Sequence, residues 1–204
     1  MSRRRAWLLP ETPDVLGLLR RQVALAIDGV RAFAAWAGGD AAARQTAEEA
    51  GRAGDVAKRE LLSALRAAFI TPLEPEDVFA LSRAIDRIAS EARGVMSESE
   101  AMASPPDAGL ARMAELLGAA LRQLDAAIEK LGSDPDAAAA AADAAIAAER
   151  ELEDAYYRGM AALLAVQDRT ERVARRELYR RCARIGETVV DAAERVVYAV
   201  VKQT

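Results

Sequence analysis

The sequence predicts an all-α fold of six long helices, and three observations carry that prediction. Alanine and straight-chain charged residues dominate while aromatics make up only 4% of the chain and β-branched runs are scarce, a composition that favours helix throughout. Apolar residues recur at helical steps, as in Val78, Leu81, Ile85 and Ile88, which line one face against a core. Proline, glycine and aspartate punctuate the chain into six segments, each longer than an average globular helix.

The first segment runs from about Pro13, a residue suited to a first helical turn, to Trp36, and Gly38-Gly39 ends it. Asp40 is placed to cap the second, which continues to about Phe69. Thr71-Pro72 halts that helix, and Pro75 opens the third with Glu76 and Asp77 at the positive end of its dipole. The third fades between Ser97 and Ser104, and Pro105-Pro106 breaks it. The fourth runs from Asp107 to Leu131, followed by Gly132, a residue suited to the left-handed position after a helix end. Asp134-Pro135 caps and starts the fifth. No glycine or proline lies between Gly159 and Gly186, so the boundary before the sixth, set at Gln167 to Arg169, is the least marked.

A chain of 204 residues that is 52% apolar can bury a sizeable core without disulfides or a structural metal. The single cysteine, Cys182, excludes an internal disulfide framework, and a reducing cytoplasm fits. A net charge of −4 and the lack of any aromatic-and-basic face argue against nucleic acid. Charges interrupt every apolar run well short of a bilayer span, and Ala6 to Leu9 is too short for a secretory signal, so a cytoplasmic protein is expected. There is no histidine. Its absence removes imidazole bases, histidine-dependent nucleophiles and histidine-ligated metal sites, leaving carboxylates to hold any metal.

The third and sixth segments share a pattern. At an offset of 100, Phe79 aligns with Tyr179, Ile85 with Ile185, Glu91 with Asp191 and Ala92 with Ala192; at 99, Asp55 aligns with Asp154 and Leu65 with Leu164. The expectation is an internal duplication, with a first three-helix repeat over 1–104 and a second over 105–204. The two could pack side by side or share one core. Dense alanine in the second and fifth segments would let helices approach closely.

The most suggestive chemistry is Glu187 and Asp191, four residues apart on one helical face, with Glu177 and Glu194 on nearby turns. In one reading they join Glu149, Glu151 or Asp154 from the fifth helix in an oxygen-rich site for a hard or borderline cation. In the other they form a ladder with Arg184 and Arg195 on an ordinary solvated face. The corresponding first-half place holds Asp55, Asp86 and Glu91, but Arg87 puts a fixed positive charge in the slot equivalent to Glu187. Cys182 lies among Arg180, Arg181 and Arg184, which would lower its pKa, whereas burial would make it an inert thiol. Trp7, Trp36, Tyr156, Tyr157 and Tyr198 are expected to pack between helices, and Arg3 to Arg5 form a basic tip suited to anionic lipid or an acidic partner. No Gly-rich phosphate loop or nucleophile elbow is present.

Phe69-Ile70-Thr71-Pro72, a short acidic link, Glu76-Asp77-Val78-Phe79-Ala80-Leu81 and then Ala84-Ile85-Asp86 resemble the FITP-centred signature of the DUF47 family, PhoU-like proteins associated with Pit-type phosphate permeases. Trp7-Leu8-Leu9-Pro10 is similar to the family's short N-terminal motif, Asp55 through Glu60 to its Asp-x-x-Lys-Arg-Glu segment, and Glu187-x-x-x-Asp191 with Glu194 to its acidic C-terminal helix. The resemblance covers nearly the whole chain in order. It implies a PhoU-like fold of two repeated antiparallel three-helix bundles, a regulatory or accessory role in inorganic phosphate uptake, and a membrane phosphate permease as partner at the cytoplasmic face. It also implies clusters of divalent or iron-type ions on Glu/Asp-x-x-x-Asp motifs, one set per repeat. This chain departs from that pattern: Gly51 stands where an acid would pair with Asp55, Arg87 where one would pair with Glu91, and Arg150 four before Asp154. The ligand candidates that remain are Glu149, Glu151, Asp154, Glu187 and Asp191.

The leading expectation is therefore a non-enzymatic regulator that docks on a permease, with metal as a cofactor to be tested. A carboxylate-bridged metalloenzyme is the rival, although helical di-metal sites usually add a Glu-x-x-His ligand that this chain lacks. A structural bundle that self-associates as a homo-oligomer is the third.

Overall fold

A computed structural model describes residues 13–68 and 70–202. The basic tip Arg3 to Arg5, the Trp7-Leu8-Leu9-Pro10 motif and Phe69 of the FITP motif lie outside the described residues.

Among the described residues six helices follow one another: α1 (Val15–Ala37), α2 (Ala43–Ala67), α3 (Pro75–Ala101), α4 (Ala108–Lys130), α5 (Pro135–Ala162) and α6 (Arg169–Val201), with a 3₁₀ turn at Leu163–Ala165 between the last two. Their starts have local causes. Asp14, Asp107 and Asp134 accept hydrogen bonds from the backbone N–H of Gly17 (2.8 Å), Leu110 (2.9 Å) and Ala137 (3.0 Å), and Asp168 accepts from both Thr170 (2.7 Å) and Glu171 (3.0 Å). Each such cap stabilises its helix by about 1 kcal/mol. α3 has no side-chain cap; Pro75 occupies its first turn and Glu76 and Asp77 complement its dipole.

Two local expectations are corrected. Asp40 does not cap α2: its carboxylate accepts from Ala42 N–H at 3.0 Å in a preceding turn, and the helix starts at Ala43. Gly132 is not left-handed, unlike Gly39 with φ 106°. It is small for another reason, since a Cβ there would stand 2.8 Å from Leu16 Cδ1 of α1.

α1 packs against α2, α3 and α4, and α6 packs against α3, α4 and α5, so the α1–α4 and α3–α6 seams join the two ends of the chain. One apolar cluster draws fully buried residues from all six helices, including Phe33, Leu61, Ile85, Leu121, Leu152 and Ile185. Of the two arrangements open from sequence, the core is the shared one. Fully burying a large side chain of this kind stabilises by about 1.5–3 kcal/mol, and the buried alanines Ala138, Ala142 and Ala145 let α5 pack closely. A reciprocal pair locks α1 to α3: the Gln22 amide donates to the Ser82 carbonyl (2.9 Å), and the Ser82 hydroxyl donates back to Gln22 (2.7 Å).

The hinge before α3 is tied to the end of α6. Asp77 is fully buried and stands 2.8 Å from Arg195 Nε and 3.0 Å from Lys202 Nζ, while Glu74 pairs with Lys202 and Glu76 reaches Arg195 at 3.4 Å. The Thr71 hydroxyl donates to the Leu73 carbonyl (2.5 Å), closing the turn between the two prolines. Nearby, Tyr198 is 50% exposed, with Arg195 and Lys202 over its ring at 5.3 and 4.7 Å. Tyr157 is also exposed. Neither packs between helices as expected, whereas Trp36 is buried and Tyr156 half-buried. Among the described residues no helix is long and apolar enough to cross a membrane.

Candidate functional site

α5 and α6 approach closely at Gly186, where a Cβ would lie 2.5 Å from Leu152 Cδ2 and 3.2 Å from Glu149 Cγ. The glycine thus lets Glu149 lie against α6. Above the contact a groove of about 390 Å³ opens, lined by Glu149, Glu153, Tyr156 and Tyr157 from α5 and by Arg180, Arg184, Glu187 and Asp191 from α6.

Three of the five predicted ligand residues, Glu149, Glu187 and Asp191, line this groove; Glu151 and Asp154 are exposed and do not line it. Helix geometry explains the split. At roughly 100° per residue, Glu153 returns to within about 40° of Glu149, whereas positions 151 and 154 fall on other faces. Glu153 is therefore the acid that a strict reading of the period selects.

Among the described residues the ladder of the second reading does not form. Arg195 turns to Glu76 and Asp77, and Glu187 and Asp191 have no ion pair among the described residues. Glu177 is held by Arg180 through two hydrogen bonds of 2.8 and 3.2 Å, which keep its carboxyl below the ordinary range, and exposed Glu194 does not line the groove. The Tyr157 hydroxyl donates to Glu153 at 3.0 Å. Partial burial raises Glu149, with Glu153 and Glu187 adding to the rise and Arg150 opposing it. A charge from outside the groove also acts on it, Arg87 on α3: its guanidinium bonds Glu91 (2.7 Å) and feels the fields of Asp191 and Glu187.

In the first half two of the three equivalent acids, Asp86 and Glu91, are matched by internal cations. Lys58 pairs with Asp86 at 2.5 Å, Arg87 with Glu91, and the Arg93 guanidinium lies across Gly51 where a side chain would collide with it. Asp55 is exposed. Fixed ammonium and guanidinium groups occupy the place of a cation there, so these residues do not fit a metal. In the second half the donors suit one chemically, although among the described residues no three acidic or thiol side chains converge as a metal-holding group.

Cys182 is fully buried, and burial pushes its thiol up to about 12, so the surrounding arginines do not activate it.

Neither the family models nor the curated proteins compared with the chain give a match. Solved structures do. A PhoU-like protein from Shewanella oneidensis MR-1 superposes with a TM-score of 0.79 at 15% identity, covering 93% of this chain and 100% of that one. A second structure from the same organism, which carries the name of a PhoU-like phosphate regulatory protein, gives 0.78 at 16% identity with coverage of 93% and 100%. At such identities the likeness is one of backbone arrangement, and it extends over nearly the whole helical bundle: the chain has the PhoU-like fold.

Proposed function

We propose that the chain is a non-enzymatic regulator of inorganic phosphate transport that docks on a Pit-type permease at the cytoplasmic face of the membrane. The observation that carries this reading is the near-full-length likeness to PhoU-like structures, one of which is named a phosphate regulatory protein. The resemblance of the FITP segment to proteins associated with such permeases supplies the partner. The α5–α6 groove supplies a docking surface, because Glu187 and Asp191 line it and have no ion pair among the described residues. Cytoplasmic loops of membrane proteins carry an excess of lysine and arginine, which an acidic groove attracts.

The same reading makes docking dependent on a divalent or iron-type cation. Glu149, Glu187 and Asp191 would hold it after side-chain rotation, and the ion would offset the burial and, secondarily, the neighbouring acids that raise Glu149. Division at 104/105 into two repeats, α1–α3 and α4–α6, belongs to this proposal as well.

The test is affinity purification of the tagged chain from detergent-solubilised membranes, with bound proteins identified by mass spectrometry. A phosphate permease should be enriched with the parent and lost with the Glu149→Gln/Glu187→Gln/Asp191→Asn variant. Its absence from both would overturn the docking. Recovery of the chain bound only to copies of itself would favour the self-associating bundle.

A further inference from the structure

A second groove, of about 430 Å³, lies where the start of α4, the end of α5 and the first turns of α6 meet. Its charge is opposite to that of the first. One arginine enters from each helix, Arg112, Arg158 and Arg175, against a single carboxylate, Asp107. That carboxylate is already committed: it caps Leu110 N–H, accepts the Tyr179 hydroxyl at 2.7 and 2.8 Å, and pairs with Arg175 at 3.1 Å. Burial first, then the bond to Asp107, holds the Tyr179 phenol protonated.

The arginines are less committed. Arg158 has no ion pair among the described residues. Arg112 reaches only Glu115, at 3.2 Å, with side chains 57% and 62% exposed, a pair of little strength. Arg175 is shared between Asp107 and Glu171, yet its buried Nε has no hydrogen-bond partner. The remaining walls are compact and apolar, with Leu163 and Val166 on one side. Gly159 fixes the other, since a Cβ there would stand 2.7 Å from Tyr179 Cε2.

We propose that this groove binds a small organic phosphate, its dianionic head between Arg112 and Arg158 and a compact apolar body against Leu163 and Val166. One guanidinium without an ion pair among the described residues and one held only in a weak, exposed pair match a phosphate monoester, which carries about −1.5 to −2 at pH 7, better than they match a single carboxylate. Inorganic phosphate alone would leave the apolar walls wet. The site stands on the groove's own geometry and does not depend on permease docking.

Titration calorimetry of the full chain with phenyl phosphate, inorganic phosphate and benzoate tests the proposal, with vesicles containing phosphatidic acid as a separate arm. Phenyl phosphate should bind with one-to-one stoichiometry and at least about tenfold tighter than the other two soluble probes, through one additional charge-assisted contact relative to benzoate and through burial of its ring on the apolar walls relative to inorganic phosphate. Arg158→Gln, at an exposed and unpaired position, should weaken it by about tenfold or more at unchanged helicity, while Arg31→Gln on α1 leaves it intact. No heat with phenyl phosphate at millimolar concentration, equal affinity in Arg158→Gln, equal affinity for inorganic phosphate or benzoate, or binding to the vesicles alone would each overturn it.

Discussion

Replacing Asp77 by alanine is the sharpest perturbation of the fold. The carboxylate is fully buried between Arg195 and Lys202, and it fastens the N-terminus of α3 to the last turns of α6. Removing one partner of a buried pair costs about 3–5 kcal/mol when the other is left without water. Here the partner side chains are 26% and 24% exposed and keep Glu76 and Glu74, so they rehydrate in part. The Arg195 contact is also not aligned as a hydrogen bond. The expected cost falls to about 2–3 kcal/mol, which for a chain of this length lowers Tm by about 5–10 °C. Glu76→Ala is the control, because its side chain is 81% exposed and its loss should change stability by no more than about 0.5 kcal/mol. Thermal and urea unfolding followed by far-UV circular dichroism measure both. If Asp77→Ala unfolds with Glu76→Ala and the parent, the clamp contributes nothing and the reasoning fails.

Three further outcomes follow from the same geometry. Asp107→Ala removes the α4 cap and orphans the buried Tyr179 hydroxyl, costing about 2–4 kcal/mol, against about 1 kcal/mol for Tyr179→Phe; urea midpoints should rank them in that order. Glu149 is an acid raised in the fold, chiefly by burial, so as pH rises the unfolded chain loses its proton first. The resulting penalty is complete above the folded pKa and absent below the unfolded value of about 4.3. Glu149→Gln should therefore be more stable than the parent at pH 7, and the gain should vanish in acid; a gain independent of pH would contradict the assignment. If a cation binds the α5–α6 groove, manganese at about a hundred times its Kd adds about 2.7 kcal/mol, a rise of about 5–10 °C. Glu187→Gln/Asp191→Asn should abolish that rise, and equal shifts in both proteins would remove those residues as ligands.

The helices were legible because their boundaries are written in short-range chemistry. Pro75, Asp107 and Asp134 act through their own and neighbouring backbone groups, and Val78, Leu81, Ile85 and Ile88 are all fully buried. Even the least marked boundary fell in place, since Asp168 caps α6 and could have been chosen as its start. One error is local and the other tertiary. Asp40 sits in a turn before α2, and Gly132 is small because Leu16 of α1 lies against it, which sequence does not announce.

The site divides the same way. Glu187 and Asp191 share a face by periodicity, and the same arithmetic applied to α5 would have paired Glu149 with Glu153 instead of Glu151 and Asp154. That Arg195 leaves the acidic face for Asp77 was hidden, because a residue's position along a helix says which neighbours it can reach and not which distant carboxylate competes for it. Arg87 shows the limit from the other side: its substitution into an acidic slot was visible, but its proximity to Glu187 and Asp191 depends on the α3–α6 seam.

The central claim is regulation of phosphate transport, and initial-rate uptake of labelled phosphate tests it most directly. Cells lacking the chain are compared with cells carrying the parent or the Glu149→Gln/Glu187→Gln/Asp191→Asn variant, at matched permease levels. The account predicts that loss of the chain changes the uptake rate, that the parent restores it, and that the groove variant does not. Identical uptake in all three would contradict it.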